Sequence, residues 1–384
     1  MIATQSLKLP HARLPAAAEA ERAKVRAFIK AERSAGRLPA PVEIGMRSSP
    51  ETSRKLAANG WIGMTWPKAY GGHEKSALAR YVVTEELLAA AVPVGSHWVA
   101  DRQSGPVILR YGTEEQKRKY LPTIAAGECY FCIGMSEPNS GSDLASLRTR
   151  GDKVSGGWRL NGQKIWTSRA HLAHNMITLV RTSKEEDRHG GFSQLIVDLS
   201  SPGITVRPII NMVGQHDFNE VFLDDVFVPD ACLIGDIGAG WSQVSAELAF
   251  ERSGPERWLS AFSLLNTLIT ELGDNASNAA RGEIGRLASH VLALRQLSIS
   301  VAAALERGEM PNVQAAIVKD MGTRFEQGMV RSIRDIMIAE RPLGASDGFE
   351  ALLTHAELWA PAFTIRGGTA EIMRGIIARG LGVR

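Results

Sequence analysis

Several features are scarce in this sequence, and each scarcity argues against a class of protein. The 384 residues include only three cysteines and 6% aromatic residues, too few thiols for the disulfide framework of a small secreted domain. The 44 basic residues nearly balance the 41 acidic ones, for a net charge of +3. Because no basic tail is present either, the charge pattern argues against a nucleic-acid-binding protein.

Long apolar runs and targeting signals are also missing from the sequence. No apolar run approaches the roughly 20 residues that cross a bilayer, and the first residues lack the pattern of a signal peptide. We therefore expect a soluble, cytoplasmic protein without a membrane span.

The three cysteines do not form a metal-binding pattern. Cys129 and Cys132 have CxxC spacing, but they lie in an apolar stretch without a second pair or a nearby cluster of histidines. A zinc site needs more ligands than this stretch offers. We expect these two residues and Cys232 to be buried thiols in a reducing compartment, and we expect no metal site.

What the chain does contain is an ordinary globular composition, 44% hydrophobic and 22% charged. Helical periodicity is typical of its first and last parts, whereas turn residues and β-branched residues dominate the middle. Long helices with short connections favour a bundle. We therefore predict an α+β multidomain fold with an N-terminal helical domain at 1–128, a central β-barrel or β-sandwich domain at 129–234, and a C-terminal four-helix bundle at 235–384.

Three local patterns predict individual elements. Thr113 and Gln116 have the spacing of a capping box, which starts a helix. The alternation over residues 204–210 predicts a strand, and helical periodicity predicts a helix over 258–272.

The first candidate for chemistry is the segment Met135-Ser-Glu-Pro-Asn-Ser-Gly-Ser-Asp143. It follows a short apolar strand and is dense in hydroxyl and turn residues. A loop at a strand end exposes N–H groups and small side chains that can bind a flavin edge or a phosphate. A plain turn without a ligand is the alternative, and local chemistry alone favours it.

The second candidate is Gln163-Lys-Ile-Trp-Thr-Ser168, which begins 20 positions after Asp143. A tryptophan beside two hydroxyl residues can cover one face of an aromatic cofactor while a hydroxyl group bonds its edge. Taken alone, this segment favours a strand with a core tryptophan.

Together these segments resemble the acyl-CoA dehydrogenase family. The first matches that family's signature of Ser/Thr-Glu-Pro, two small residues and Gly-Ser-Asp, and the second is similar to its flavin-covering strand. Further similar segments follow in the family's order, and the match spans nearly the whole chain. They are 60–72, 111–122, 218–229 and Gly367-Gly-Thr-Ala-Glu-Ile-Met-Arg374.

The resemblance implies FAD as cofactor, an acyl-CoA as substrate and an electron-transferring flavoprotein as acceptor. Met135 and Ser136 would face the flavin ring, and Gly141 and Ser142 would border the phosphates and the pantetheine arm. The other residues implied to bind the cofactor are Trp166, Thr167, Ser168, Thr369 and Glu371.

The catalytic base is implied by a departure from the family pattern. Many members place a glutamate directly before the Gly-Thr of the C-terminal loop, but this chain has Gly367 there. A second family placement precedes an arginine on the first helix of the bundle, where this chain has Glu251 and Arg252. We expect Glu251 to accept the α-proton and Arg252 to hold the base or the CoA. Glu247 is the next candidate.

Local context fits the choice of Glu251. Its apolar neighbours would raise the pKa of the carboxyl group, and Pro255 makes the helix irregular. The alternative is an exposed glutamate in a helical ion pair, but neither Glu247 nor Pro255 can supply the partner. Members with this placement often act on branched or bulky acyl groups, and Gly367 and Gly368 would leave room for one.

Two flavin-contact motifs of the family are altered, at Arg281–Gly285 and at Glu340–Ser346. A homo-oligomer, dimer or tetramer, is expected, but a mixed oligomer whose related subunit completes the flavin site is an alternative. Two further alternatives are an oxidase or monooxygenase on the same fold and a non-enzymatic, DNA-associated binding protein that kept the fold.

Overall fold

A computed structural model describes residues 9–251, 253–340 and 345–383, with no description of the side chains of 246–251. Contacts between Cα atoms group the chain into two compact units. The helical unit contains 1–47, 76–92 and 249–384, and the sheet unit contains 48–75 and 93–248.

Along the chain, helices both precede and follow the strands. They are α1 Ala16–Ser34, α2 Pro50–Ala58, α3 Ala77–Ala89, α4 Gly95–Val99, α5 Gly105–Tyr111, α6 Glu114–Ala125, α7 Gly240–Glu251, α8 Phe262–Leu272, α9 Asn278–Glu306, α10 Asn312–Ala339, α11 Asp347–Trp359 and α12 Ala370–Gly380. The strands are β1 Phe131–Gly134, β2 Arg150–Val154, β3 Gly157–Ser168, β4 Asn175–Arg181, β5 Phe192–Asp198, β6 Ile204–Ile210, β7 His216–Pro229 and β8 Leu233–Ile234.

Hydroxyl side chains start many of these helices. Thr113 and Gln116 form the predicted capping box before α6, with Gln116 N donating to Thr113 Oγ1 over 3.2 Å and Thr113 N donating to Gln116 Oε1 over 3.1 Å. Ser76 and Ser277 accept from the third residue of α3 and α9 in the same way. Each cap satisfies an amide that the helix itself leaves without a partner.

The sheet unit is built on one eight-stranded sheet in the order β6-β7-β3-β2-β4-β5-β8, and β1 pairs with β4 in parallel. Alternate side chains of its strands point into a common core, as the period of two requires. The fully buried members of this core include Trp158, Leu160, Met176, Val180, Leu195, Val197, Val221 and Val226.

Helices α1, α3 and α9 of the helical unit share a buried carboxylate. Glu85 on α3 is bonded to Arg22 of α1 over 2.9 Å and to Arg295 of α9 over 2.6 Å. A buried charge needs such partners, so this network pins the three helices together.

The predicted α+β fold, with helices, then a sheet, then helices, is confirmed, and the strand Ile204–Ile210 has the predicted bounds. The helix predicted at 258–272 is wrong in its first turn. The chain forms a 3₁₀ turn at Pro255–Arg257, just before this range, and α8 begins only at Phe262. Pro255 fixes its own φ and starts the tighter turn. The domain boundaries at 128 and 234 stay a prediction.

Length and composition would allow one described helix, α9, to cross a membrane. This is weak evidence, because core helices pass the same test. Here α9 packs against α3 and α10, as a core helix does.

All three cysteines are free. Cys132 is buried, whereas Cys129 and Cys232 are only partly buried. Within the described parts of the chain, no group of three His, Cys, Asp or Glu side chains is arranged to hold a metal ion.

Candidate active site

The loop after β1 forms a tight turn. Glu137 N donates to Ser140 O over 2.8 Å, and Ser140 N donates back to Glu137 O over 3.0 Å. The turn leaves Gly141 and Ser142 exposed, and a Cβ added at Gly141 would meet no atom within 4 Å. The segment therefore presents two small residues with open space around them.

A buried ion pair ties this loop to strand β3. Lys164 is fully buried, and its Nζ donates to Glu137 Oε1 over 2.9 Å and to Met135 O over 3.2 Å. The Glu137 carboxylate also accepts from the amides of Arg148 over 2.6 Å and Thr149 over 2.9 Å. Three backbone groups from two segments thus converge on one carboxylate and one ammonium.

Burial and the partner charge together set the pKa of each of these two residues. Burial lowers the pKa of Lys164 to about 8, against the opposing effect of Glu137. Burial alone would raise the pKa of Glu137, but Lys164 and the amide hydrogen bonds reverse this and lower it. Glu137 is therefore ionised at neutral pH and can hold the loop.

Strand β3 carries a bulge at Trp166. The pairing with β7 shifts between Lys164 and Thr167, so that one extra residue lies on β3. Trp166 has a left-handed φ of 59°, and its side chain is 57% exposed although its ring edge packs on Phe218 at a centroid distance of 6.0 Å. The bulge turns a large aromatic ring out of the sheet.

The bulge also links the two motifs found in the sequence. Ile165 N donates to Ser136 O over 2.9 Å, so the loop after β1 pairs with β3 where β7 does not. Met135 packs against the small core cluster that contains Leu179 and Phe192. The structure thereby brings Met135 and Ser136 beside the segment that carries Trp166, Thr167 and Ser168, and Gly141 and Ser142 follow on the same loop.

This arrangement fits a flat aromatic cofactor with a hydrogen-bonding edge, such as a flavin. The Oγ1 atom of Thr167 is buried and has no partner among the described protein atoms, although a buried hydroxyl group normally has one. The indole of Trp166 is exposed beside it, and Gly141 leaves free space.

The C-terminal residues predicted to contact the flavin lie in the helical unit. Thr369 caps α12, its Oγ1 accepting from Ile372 N over 3.3 Å, and Glu371 is exposed in the first turn of that helix. A backbone hydrogen bond and the Thr369 side chain lower the pKa of Glu371. Thr369 thus caps α12, a structural role that does not depend on contact with a cofactor.

Helix α10 holds the segment before this loop. Lys319 Nζ donates to Thr364 O over 2.9 Å, and Arg366 pairs with Glu326 over 2.6 Å. Burial lowers the pKa of Lys319 to about 8, with Arg257 and Arg366 adding to the effect.

The predicted base lies at the edge of the described residues. Helix α7 ends at Glu251, whose side chain is outside the description, as is that of Glu247, and Arg252 lies wholly outside the described residues. The expected irregularity near Pro255 is confirmed, because the helix ends before it.

Sequence reasoning missed Glu137 and Lys164. Both lie inside the motifs, and a charged residue amid apolar and turn residues was the available signal. The pairing itself was invisible because 27 positions separate the two residues.

Comparisons with known proteins agree with the motifs. Models of the N-terminal, middle and C-terminal domains of acyl-CoA dehydrogenases match residues 15–128, 132–226 and 238–382. The chain belongs to the acyl-CoA dehydrogenase family. It is therefore an acyl-CoA dehydrogenase in the general sense, a flavin-dependent oxidoreductase.

Two relatives from Mycobacterium tuberculosis show the extent of the similarity. The acyl-CoA dehydrogenase FadE34 is 34% identical over 86% of this chain, which spans only 46% of that protein. The acyl-CoA dehydrogenase IpdE1 is 33% identical over 85% of both chains.

Solved structures of the family share the fold. The Tcur3481–Tcur3483 steroid acyl-CoA dehydrogenase matches with a TM-score of 0.85 and 30% identity, covering 96% of this chain and 98% of that one. The ChsE4–ChsE5 complex from Mycobacterium tuberculosis matches with a TM-score of 0.81 and 29% identity, covering 97% and 99%.

Proposed function

We propose that this chain uses FAD to convert an acyl-CoA into the trans-2-enoyl-CoA. The α-carbon loses a proton to Glu251, the β-carbon loses a hydride, and a double bond forms between them. A bound FAD supplies the acceptor for the hydride. The single observation that supports FAD binding is the Thr167 hydroxyl group, which has no partner among the described residues and lies beside an exposed Trp166.

The conformation at Gly367 supports Glu251 as the base. Gly367 has a left-handed φ of 62°, and a Cβ added there would lie 2.9 Å from Nη2 of Arg257. A glutamate at this family position would need both a strained backbone and a displaced Arg257. The carboxylate on α7 is then the remaining family placement for the base.

Replacing Glu251 by glutamine tests this assignment. Because general-base catalysis contributes about 10²- to 10⁴-fold, Glu251→Gln should lower turnover by that factor and leave flavin content unchanged. Glu247→Gln, one turn earlier on the same helix, is the matched control and should stay active. Near-normal turnover of Glu251→Gln would reject the assignment.

A bulky acyl group is the proposed substrate. Gly367 and Gly368 add no side chain at the family's usual base position, and one similar solved protein is described as a steroid acyl-CoA dehydrogenase. Anaerobic titration with straight-chain, branched and ring-bearing acyl-CoAs, followed by flavin bleaching, ranks these classes. Preference for straight medium chains would contradict the proposal.

The same titration separates the dehydrogenase from an oxidase. A dehydrogenase that passes electrons to an electron-transferring flavoprotein should reoxidise slowly when air is admitted. Rapid reoxidation with peroxide formation would instead favour an oxidase. We propose a cytoplasmic location for either enzyme.

A mixed oligomer is the second candidate assembly. Arg281, in the altered bundle motif, donates to the carbonyl groups of Asp274 over 2.7 Å and Ala276 over 3.0 Å. Its guanidinium group is therefore hydrogen-bonded to the turn just before its own helix. Two similar solved structures are described as pairs of proteins. Protein that binds FAD only after mixing with a related subunit would favour this assembly, and full FAD content in the purified chain would favour a homo-oligomer.

A further inference from the structure

Two stacked histidines in the sheet unit share one hydrogen-bond acceptor. The rings of His171, just after β3, and His216, the first residue of β7, lie 3.7 Å apart at 17°. His216 Nε2 is 2.7 Å and His171 Nδ1 is 3.2 Å from Oδ1 of Asn219. Because an amide oxygen only accepts, both ring nitrogens carry the proton.

Asn219 transmits this contact to strand β3. Its side chain is fully buried, and its Nδ2 donates to Thr167 O over 2.9 Å. Thr167 directly follows Trp166, whose left-handed φ of 59° is unfavourable for a residue other than glycine. Such a conformation persists only where the surroundings stabilise it, and the Asn219 hydrogen bond is one such stabilising contact.

The opposite side of the bulge is held by the loop after β1, through Ile165 N and Ser136 O at 2.9 Å. The bulge is thus hydrogen-bonded on one side to the loop after β1 and on the other side to Asn219. The hydrogen bonds from both imidazoles to Asn219, and from Asn219 to Thr167 O, connect the histidines to the bulge.

We propose that Asn219 is a positioning residue that fixes the flavin-covering bulge at Trp166 and Thr167, and that the His171–His216 pair acts on the bulge through it. The inference rests on the proposed placement of FAD against this bulge. It assigns a role in flavin retention to three residues outside the site described above.

The geometry predicts that acid weakens flavin binding. The neighbouring charged groups are Asp217 on β7 and Arg169, just after β3, whose guanidinium group lies 3.8 Å from the Asp217 carboxylate. Burial, with His216 adding to it, lowers the pKa of His171 below its usual value.

The direction of this pKa shift sets the sign of the pH dependence. A histidine with a lowered pKa favours the folded arrangement above pH 6.5, its ordinary pKa, and this contribution is lost as the pH falls below that value. A cation on one stacked ring also repels a proton on the other. Because FAD in this proposal binds only the ordered bulge, flavin affinity should fall as the pH is lowered from 7.5 to 5.5.

FAD binding to the apoprotein, followed by flavin fluorescence at both pH values, tests the proposal. Asn219→Asp keeps the acceptor for both imidazoles but removes the donor to Thr167 O. Loss of one such hydrogen bond should raise the Kd for FAD about tenfold at pH 7.5 and change the visible circular dichroism of the bound flavin. An unchanged Kd and spectrum would overturn the proposal.

The histidines are tested separately with His171→Phe, an exposed position that keeps the stacking. This variant should lose most of the pH dependence of the Kd, whereas His11→Phe, on the segment before α1, should keep it. Should Asn219→Asp fail to fold, equal pH dependence in His171→Phe and the wild type would still refute the idea. Failure of the wild type to bind FAD, both alone and after mixing with a related subunit, would instead refute the proposed function.

Discussion

The buried Lys164–Glu137 pair makes a sharp prediction about stability. Lys164→Met keeps the volume of the stem and removes the ammonium group that bonds Glu137 Oε1 over 2.9 Å and Met135 O over 3.2 Å. The glutamate stays buried but keeps the amides of Arg148 and Thr149. Breaking one side of a buried pair costs about 3–5 kcal/mol, and the two remaining amide donors place Lys164→Met near 3 kcal/mol.

The pKa of Lys164 explains why removing both partners should cost less. Burial brings this pKa from 10.5 to about 8, so the charged lysine already costs about 3 kcal/mol relative to its neutral form. Lys164→Met with Glu137→Gln removes that cost together with the pair. We expect the double variant to lie within about 2 kcal/mol of the wild type, whereas independent effects would sum to about 6 kcal/mol.

Calorimetry of the apoproteins measures these differences. In a chain of 384 residues, 3 kcal/mol should lower the Tm by about 4 °C, and Lys164→Met should also weaken FAD binding because Met135 loses its anchor. Since a chain with two compact units need not unfold in one step, the double-variant cycle is compared on the transition that shifts in both single variants. Additive losses in the double variant would refute the coupling.

Two further predictions concern pH and a glycine. His97 is buried beside Ser53 Oγ at 2.8 Å, and burial lowers its pKa to about 4. Its contribution to stability should therefore be present above pH 6.5 and be lost towards pH 4, about 3 kcal/mol in all. Thermal unfolding at pH 7 and 4.5 should show a smaller acid loss in His97→Gln, and an equal loss would contradict the assignment. Gly367→Ala should cost about 1–2 kcal/mol in calorimetry because of its left-handed φ of 62°, whereas Gly282→Ala, on α9 with open space around it, should be neutral or stabilising. Equal effects of the two alanines would show that the backbone at Gly367 is not strained.

Local patterns predicted those elements whose causes are local. Thr113 and Gln116 are three positions apart, so their capping box could be predicted and is confirmed. The same Gln116 side chain also donates to the carbonyl groups of Ala231 and Leu233 over 2.7 and 2.8 Å. No local pattern predicts that second role, because the partners are more than 100 positions away.

The candidate site divides in the same way. Motif resemblance identified the residues around Met135 and Trp166 and the substitution of Gly367 for a glutamate. It could not foresee that Trp166 leaves the sheet on a left-handed bulge, or that Thr167 Oγ1 is buried without a partner in the described parts of the chain. Those features depend on the register between β3 and β7, which strand pairing decides.

Neighbours along the chain were enough to predict the order of helices and strands, the family and the small residues of the loop after β1. The contact of Glu137 with Lys164, and the hydrogen bond from Asn219 to Thr167 O over 2.9 Å, depend on the three-dimensional fold. Burial explains the difference. A charge or an amide removed from water must find its partner wherever the fold places one, and that partner is usually distant in the sequence.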